Sequence, residues 1–78
     1  MKYPKFSIYQ FVLANRTILR AVTYDNAVIT AKIPKDTIGM IRNIDLGLKI
    51  TNQTTYDIEF LGHPGCLAVT ESDIKPID

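Results

Sequence analysis

Tyr56, Ile58 and Phe60 alternate with Asp57 and Glu59. In an extended chain successive side chains point to opposite faces. This stretch therefore puts its large apolar groups on one side and its carboxylates on the other. A helix would scatter the same residues around its circumference. The pattern predicts a strand with one face buried and the other in water.

A second strand is predicted just before it, over Ile38 to Ile44. There Ile38, Met40, Arg42 and Ile44 alternate against Gly39, Ile41 and Asn43. Gly39 has no side chain and suits a tight bend or a close approach to the backbone. Asp45 to Thr54 is polar and contains Gly47, which reads as an exposed loop; Leu48 and Ile50 could extend the hairpin into it. Residues 37–61 are thus expected to form the central strand pair of a small sheet.

The flanking segments add further strands. Asp25-Asn26 is a turn sequence, and Ala27 to Ile33 reads as the strand after it, with Val28 and Ile29 as its packing residues. Pro34-Lys35-Asp36 ends that strand. Gly62-His63-Pro64-Gly65 is a turn, Cys66 to Val69 a strand, Thr70 to Asp73 one helical turn, and Ile74 to Ile77 a last strand. Residues 6–24 are ambiguous. Phe6 to Leu13 and Thr17 to Tyr24 read as a strand hairpin around Ala14-Asn15-Arg16. Alternatively, Ser7 and Gln10 could start a helix as a capping box, although Asn15, Arg16 and Thr23 interrupt the apolar stripe. Met1 to Lys5 is expected to be a loose arm, with residues 26–78 as the core of one domain.

The expected fold class is therefore mainly β: a small five- to six-stranded barrel with one helical turn before the last strand. Closing the sheet into a barrel removes its open edges. At 78 residues the chain is one domain, and 46% apolar content is high enough for a folded core. Nine basic against eight acidic residues leave a formal charge of +1. That near-balance argues against a dedicated nucleic-acid binder, whose affinity rests on a strong positive field. A single cysteine permits no internal disulfide. No apolar run approaches the roughly 20 residues of a membrane span. A cytoplasmic setting is the expectation.

From Ile33 onward the order Ile33-Pro34, Thr37-x-Gly39-x-Ile41, Tyr56-x-Ile58-x-Phe60, Ser72-Asp73-Ile74-Lys75-Pro76-Ile77 resembles Src-homology-3-like barrels. Such barrels occur in ferredoxin-docking and photosystem subunits and in nitrogen-fixation accessory proteins. Tyr56-x-Ile58-Glu59-x-x-x-His63-Pro64-Gly65 is in addition similar to the plasmid-type (type II) dihydrofolate reductases, short barrels often carried on mobile elements. That family assembles as tetramers around one pore. A Val-Gln-Ile-Tyr stretch lines the pore and holds folate and NADPH. The matching stretch here is Leu67-Ala68-Val69-Thr70, without the Gln and Tyr. Lys32 matches a pore lysine to within about a residue. The resemblance implies the barrel fold and homo-oligomerisation, and argues against the same reductase chemistry; a divergent reductase-like homotetramer with a ligand-binding pore is the alternative reading, and NADPH belongs only to it.

No catalytic constellation is assembled by spacing. His63 is the sole histidine, and no second ligand stands at metal spacing from it. Cys66 lies three positions on, where turn geometry need not bring the two together. Asp57 and Glu59 on an outward face read as solvated carboxylates, as do Glu71, Asp73 and Asp78. For nucleic acid, Lys32, Lys35 and Arg42 with Tyr24 and Tyr56 for stacking make a weak case. The expectation is a non-catalytic binding or assembly module acting on itself or on a protein partner. Its contact residues would be Lys32, Arg42, His63 and Leu67-Ala68-Val69-Thr70.

Overall fold

The computed structural model describes residues 3–47 and 53–77. The expected extension of the hairpin by Leu48 and Ile50 lies outside them. The chain is mainly β, with strands β1 (Phe11–Ala14), β2 (Ile18–Tyr24), β3 (Ala27–Ile33), β4 (Ile38–Asp45), β5 (Thr55–Phe60), β6 (Leu67–Thr70) and β7 (Ile74–Pro76). One 3-10 turn, Glu71–Asp73, precedes β7, as expected for the helical turn. The strands form a five-stranded sheet in the order β6-β5-β4-β1-β7 and a separate two-stranded sheet, β2-β3. Among the described residues the expected five or six strands are therefore seven, in two sheets.

β5 carries the core as its alternation predicts. Tyr56, Ile58 and Phe60 are buried, with Ile41, Val12, Leu67, Val69 and Ile74 around them. Each such side chain contributes roughly 1.5–3 kcal/mol of burial. Gly39 lies inside the same layer. A Cβ there would stand 2.6 Å from Ile58 Cγ2 and 2.8 Å from Phe60 Cδ1, so close approach of side chains fixes this glycine.

In β4 the simple alternation fails. Ile41 pairs with Ile58 and Asn43 with Asp57, so Arg42 is an extra residue in a β-bulge. The bulge resets the phase, and both Ile41 and Ile44 turn inward although they stand three apart. Ile38, Met40, Arg42 and Ile44 therefore do not share one face.

Residues 11–24 are strands rather than helix, but β1 and β2 are not a hairpin. β1 has β4 on one side and β7 on the other, so both its edges are filled. At the corner Asn15 donates its N–H to the Asp73 carbonyl at 2.8 Å, which turns the chain away from β1. Residues 6–10 are neither strand nor helix. Ser7 donates its N–H to Gln10 Oε1 at 2.9 Å, and Gln10 its N–H to the Ser7 carbonyl at 3.1 Å. The capping-box sequence therefore closes a single turn. Tyr9 then adopts φ 67°, which no helix accommodates, and its N–H bonds to the Ile41 carbonyl.

β2 and β3 join through Asp25-Asn26, with φ of 53° and 64°. That is the two-residue turn suited to the twist of a hairpin. Ile18 and Ile33 at its base are buried. The expected packers are not: Val28 is 74% exposed and Ile29 41%. They lie near the tip, beside the Asp25-Asn26 turn.

The expected loose arm has its last residue fastened. The Tyr56 hydroxyl accepts from Lys5 N–H at 2.9 Å and Phe6 N–H at 3.3 Å. Phe6 packs edge-on against the Tyr56 ring at 5.6 Å between centroids.

Candidate functional site

Directly opposed residues in an antiparallel pair face the same side. Phe11 opposes Met40, Leu13 opposes Ile38, and Met40 opposes Glu59. These side chains occupy the outer face of the five-stranded sheet, away from the Tyr56–Phe60 core. Phe11 is 51% exposed, and Leu61, just beyond β5, is 73% exposed. With Ile38, Met40 and His63 they line a shallow depression of about 270 Å³. Charge borders it: Arg42 Nη1 stands 3.4 Å from Glu59 Oε1, with its guanidinium 6.0 Å from the Tyr9 ring centre.

A larger cleft of about 470 Å³ separates the β2-β3 hairpin from the β5–β6 turn. Val22 and Thr23 with Ile29 to Lys32 form one wall, and His63 to Leu67 the other. His63 thus borders both hollows; its N–H donates to the Phe60 carbonyl at 3.1 Å, holding the turn.

The residues expected to make contact are divided by the fold. Lys32, Arg42 and Ala68 are exposed and His63 is half-buried. Lys32, His63 and Leu67 meet at the larger cleft. Leu67 and Val69 fill the core, so they face inward. Thr70 is half-buried and closes the 3-10 turn, donating its N–H to Asp73 Oδ2 at 3.0 Å. Phe11, Ile38, Met40 and Leu61 were not among the expected residues. The alternation of Phe11 and Leu13 with smaller Val12 and Ala14 was the available clue: bulk on one face, compactness on the face toward Gly39.

Two acidic groups are not solvated as expected. Asp73 is only 2% exposed and accepts from Arg16 Nε at 2.8 Å and Arg20 Nη2 at 3.1 Å. Burial pushes its pKa up. The Thr70 N–H, the Arg16 guanidinium and the Thr70 hydroxyl together outweigh this and hold it below the usual carboxylate range. Glu71 accepts from the Tyr56 hydroxyl at 2.7 Å. The Tyr56 hydroxyl is pushed up by burial and by that bond. Tyr56 is fully buried and has no face to offer a nucleic-acid base.

Burial, then the nearby Glu59 and Asp57 carboxylates, push the Cys66 thiol up. That favours the thiol over the nucleophilic thiolate. Among the described residues no group of three His, Cys, Asp or Glu side chains is placed to hold a metal ion. No helix among them is long and apolar enough to cross a membrane. In comparisons with protein-family models, curated proteins and solved structures, nothing matches this chain.

Proposed function

We propose that this chain is a non-catalytic binding and assembly module that docks on a protein surface, its own or a partner's. The supporting observation is the apolar outer face of the five-stranded sheet. Phe11 and Leu61 stand in water beside Met40 and Ile38, with Arg42, Glu59 and His63 at the margin. An apolar centre with a charged rim is the layout of protein contact surfaces. A small domain also gains stability when such surface is covered.

The fold supports the Src-homology-3-like reading at the level of strand order. β7 returns beside β1, and one helical turn precedes it. Under that reading the β2-β3 hairpin is a long excursion between barrel strands.

Light scattering at micromolar to millimolar protein tests the self-association arm, and a pull-down with the full chain tests the partner arm. Leu61→Glu leaves the core untouched and is expected to weaken a contact made through this outer face. A strict monomer that captures no protein removes the reading. So does a captured partner protein that Leu61→Glu and Phe11→Glu together leave bound.

A further inference from the structure

β3 has an open edge. It pairs with β2 and, among the described residues, with no other strand. The two-residue turn makes Tyr24 and Ala27 the hydrogen-bonded closing pair, after which the pairs alternate. Ala27, Ile29 and Ala31 therefore direct their N–H and C=O groups to β2. Val28, Thr30 and Lys32 direct theirs the other way, along the free edge. The larger cleft is lined by both strands of the hairpin, Val22 and Thr23 of β2 with Ile29 to Lys32 of β3.

The other strand edges are blunted. β7 carries Lys75, bound to Asp36 at 2.6 Å, and Pro76, which has no N–H. On β2 the Leu19 carbonyl, which points away from β3, already accepts from Arg20 Nη1 at 3.0 Å. β6 has only four residues. β3 has none of these devices over Ala27-Val28-Ile29-Thr30-Ala31, which is uncharged, free of Pro and β-branched at its centre. An exposed edge of that composition is a template for another strand.

We propose that β3 is the seam along which two copies of this chain join, edge to edge and antiparallel. The β2-β3 sheets of the two copies become one four-stranded sheet. Charge selects the direction. Asp25 precedes β3 and Lys32 lies near its end, so antiparallel pairing brings opposite charges together and parallel pairing stacks like ones. Backbone parity restricts the register, because an outward-directed residue must meet another. Val28 opposite Thr30 of the second copy meets this rule at both ends and sets Ile29 against Ile29 on the twofold axis. A net charge of +1 leaves little general repulsion to oppose the contact. This seam is distinct from the outer face described above and specifies its occupant.

Analytical ultracentrifugation of the full chain is the test. The wild type is expected to sediment as a dimer that dissociates on dilution. Thr30→Pro removes an outward N–H without taking a bond from the β2 ladder, and the twofold repeats the loss. Its dissociation constant is expected to rise about tenfold or more. Val28→Lys, at an exposed side chain, keeps the core and charges the edge; it decides the matter should Thr30→Pro unfold, as judged by circular dichroism. Its effect is expected to shrink with added salt. Leu61→Glu is expected to leave the dimer unchanged. A wild type that stays monomeric at millimolar concentration overturns the proposal. So does a dimer that withstands Val28→Lys but is dissolved by Leu61→Glu, which would assign the contact to the outer face.

Discussion

β5 and β3 are built from similar residues and have opposite fates. Thr55–Phe60 and Ala27–Ile33 are both β-branched and apolar-rich. In β5 every second side chain is buried; in β3 only Ile33 is, at the base. The difference is position in the fold. β5 has β4 on one side and β6 on the other, so one of its faces must pack. Among the described residues β3 has one neighbouring strand, β2, and it begins at the tip turn. β-propensity makes a strand; it does not bury one. The largest test of this contrast is Phe60→Ala. A cavity at the centre of the core should cost about 3–5 kcal/mol, enough to unfold most of so small a domain. Chemical denaturation followed by circular dichroism measures it. A loss under about 1 kcal/mol would mean that the inner face is not the stabilising one.

Much of the sheet was legible, for reasons visible in particular residues. Asp57 and Glu59 mark the wet face of β5, so the inward set follows. Asp25-Asn26 marks its hairpin, and Thr70 with Asp73 marks the 3-10 turn. All of these are local patterns. What could not be read depends on residues far apart in the chain. Arg16 and Asp73 are 57 positions apart, and no spacing rule links them. Val28 and Ile29 are adjacent and both apolar, and the polar Thr30 and Lys32 on the Val28 face mark only that side as the wet one. The bulge at Arg42 is a property of the β4-β5 pairing and cannot be found in β4 alone. The candidate surface was half-legible: Arg42 and His63 border the outer face, whereas Phe11 and Leu61 sit in stretches that are apolar in either direction.

Asp73 offers the next test, because it ties the corner between β1 and β2 to the end of the sheet. Asp73→Asn should cost about 1–2 kcal/mol, discounted because both arginines are largely in water. The pH dependence has a definite sign. The folded carboxyl titrates below the ordinary 3.8, so the unfolded chain takes up the proton first. The stabilisation is complete above the unfolded value and is lost as pH falls through the folded one. Wild-type denaturation midpoints should therefore drop on going below about pH 4, and Asp73→Asn should flatten that drop. An equal slope in both proteins would remove Asp73 from the account.

Tyr56→Phe is a smaller change at the opposite end of the same 3-10 turn. It keeps the buried ring and deletes only the hydroxyl. Lys5 N–H retains Glu71 Oε2 at 3.0 Å, whereas Phe6 N–H loses the hydroxyl that accepts it. The expected cost is about 1 kcal/mol, with faster hydrogen exchange at the Phe6 amide. Unchanged exchange there would show that the N-terminal segment is held by Phe6 packing alone.

The smallest expected effect isolates the comparison between the strands. Val28→Thr and Val69→Thr exchange the same methyl for the same hydroxyl, in β3 and in β6. At Val69, buried beside Tyr56, the hydroxyl enters an apolar interior and should cost about 1–3 kcal/mol. At Val28 it enters water and should change monomer stability by less than about 0.5 kcal/mol. Because Val28 borders the open edge of β3, the measurement should be made in dilute protein, where each chain stands alone. If the two substitutions cost the same there, the tip of the hairpin packs as tightly as the sheet, and the contrast between β3 and β5 does not hold. If Val28→Thr is neutral in dilute protein but lowers the melting temperature only at high concentration, the side chain is covered by a second chain rather than by its own.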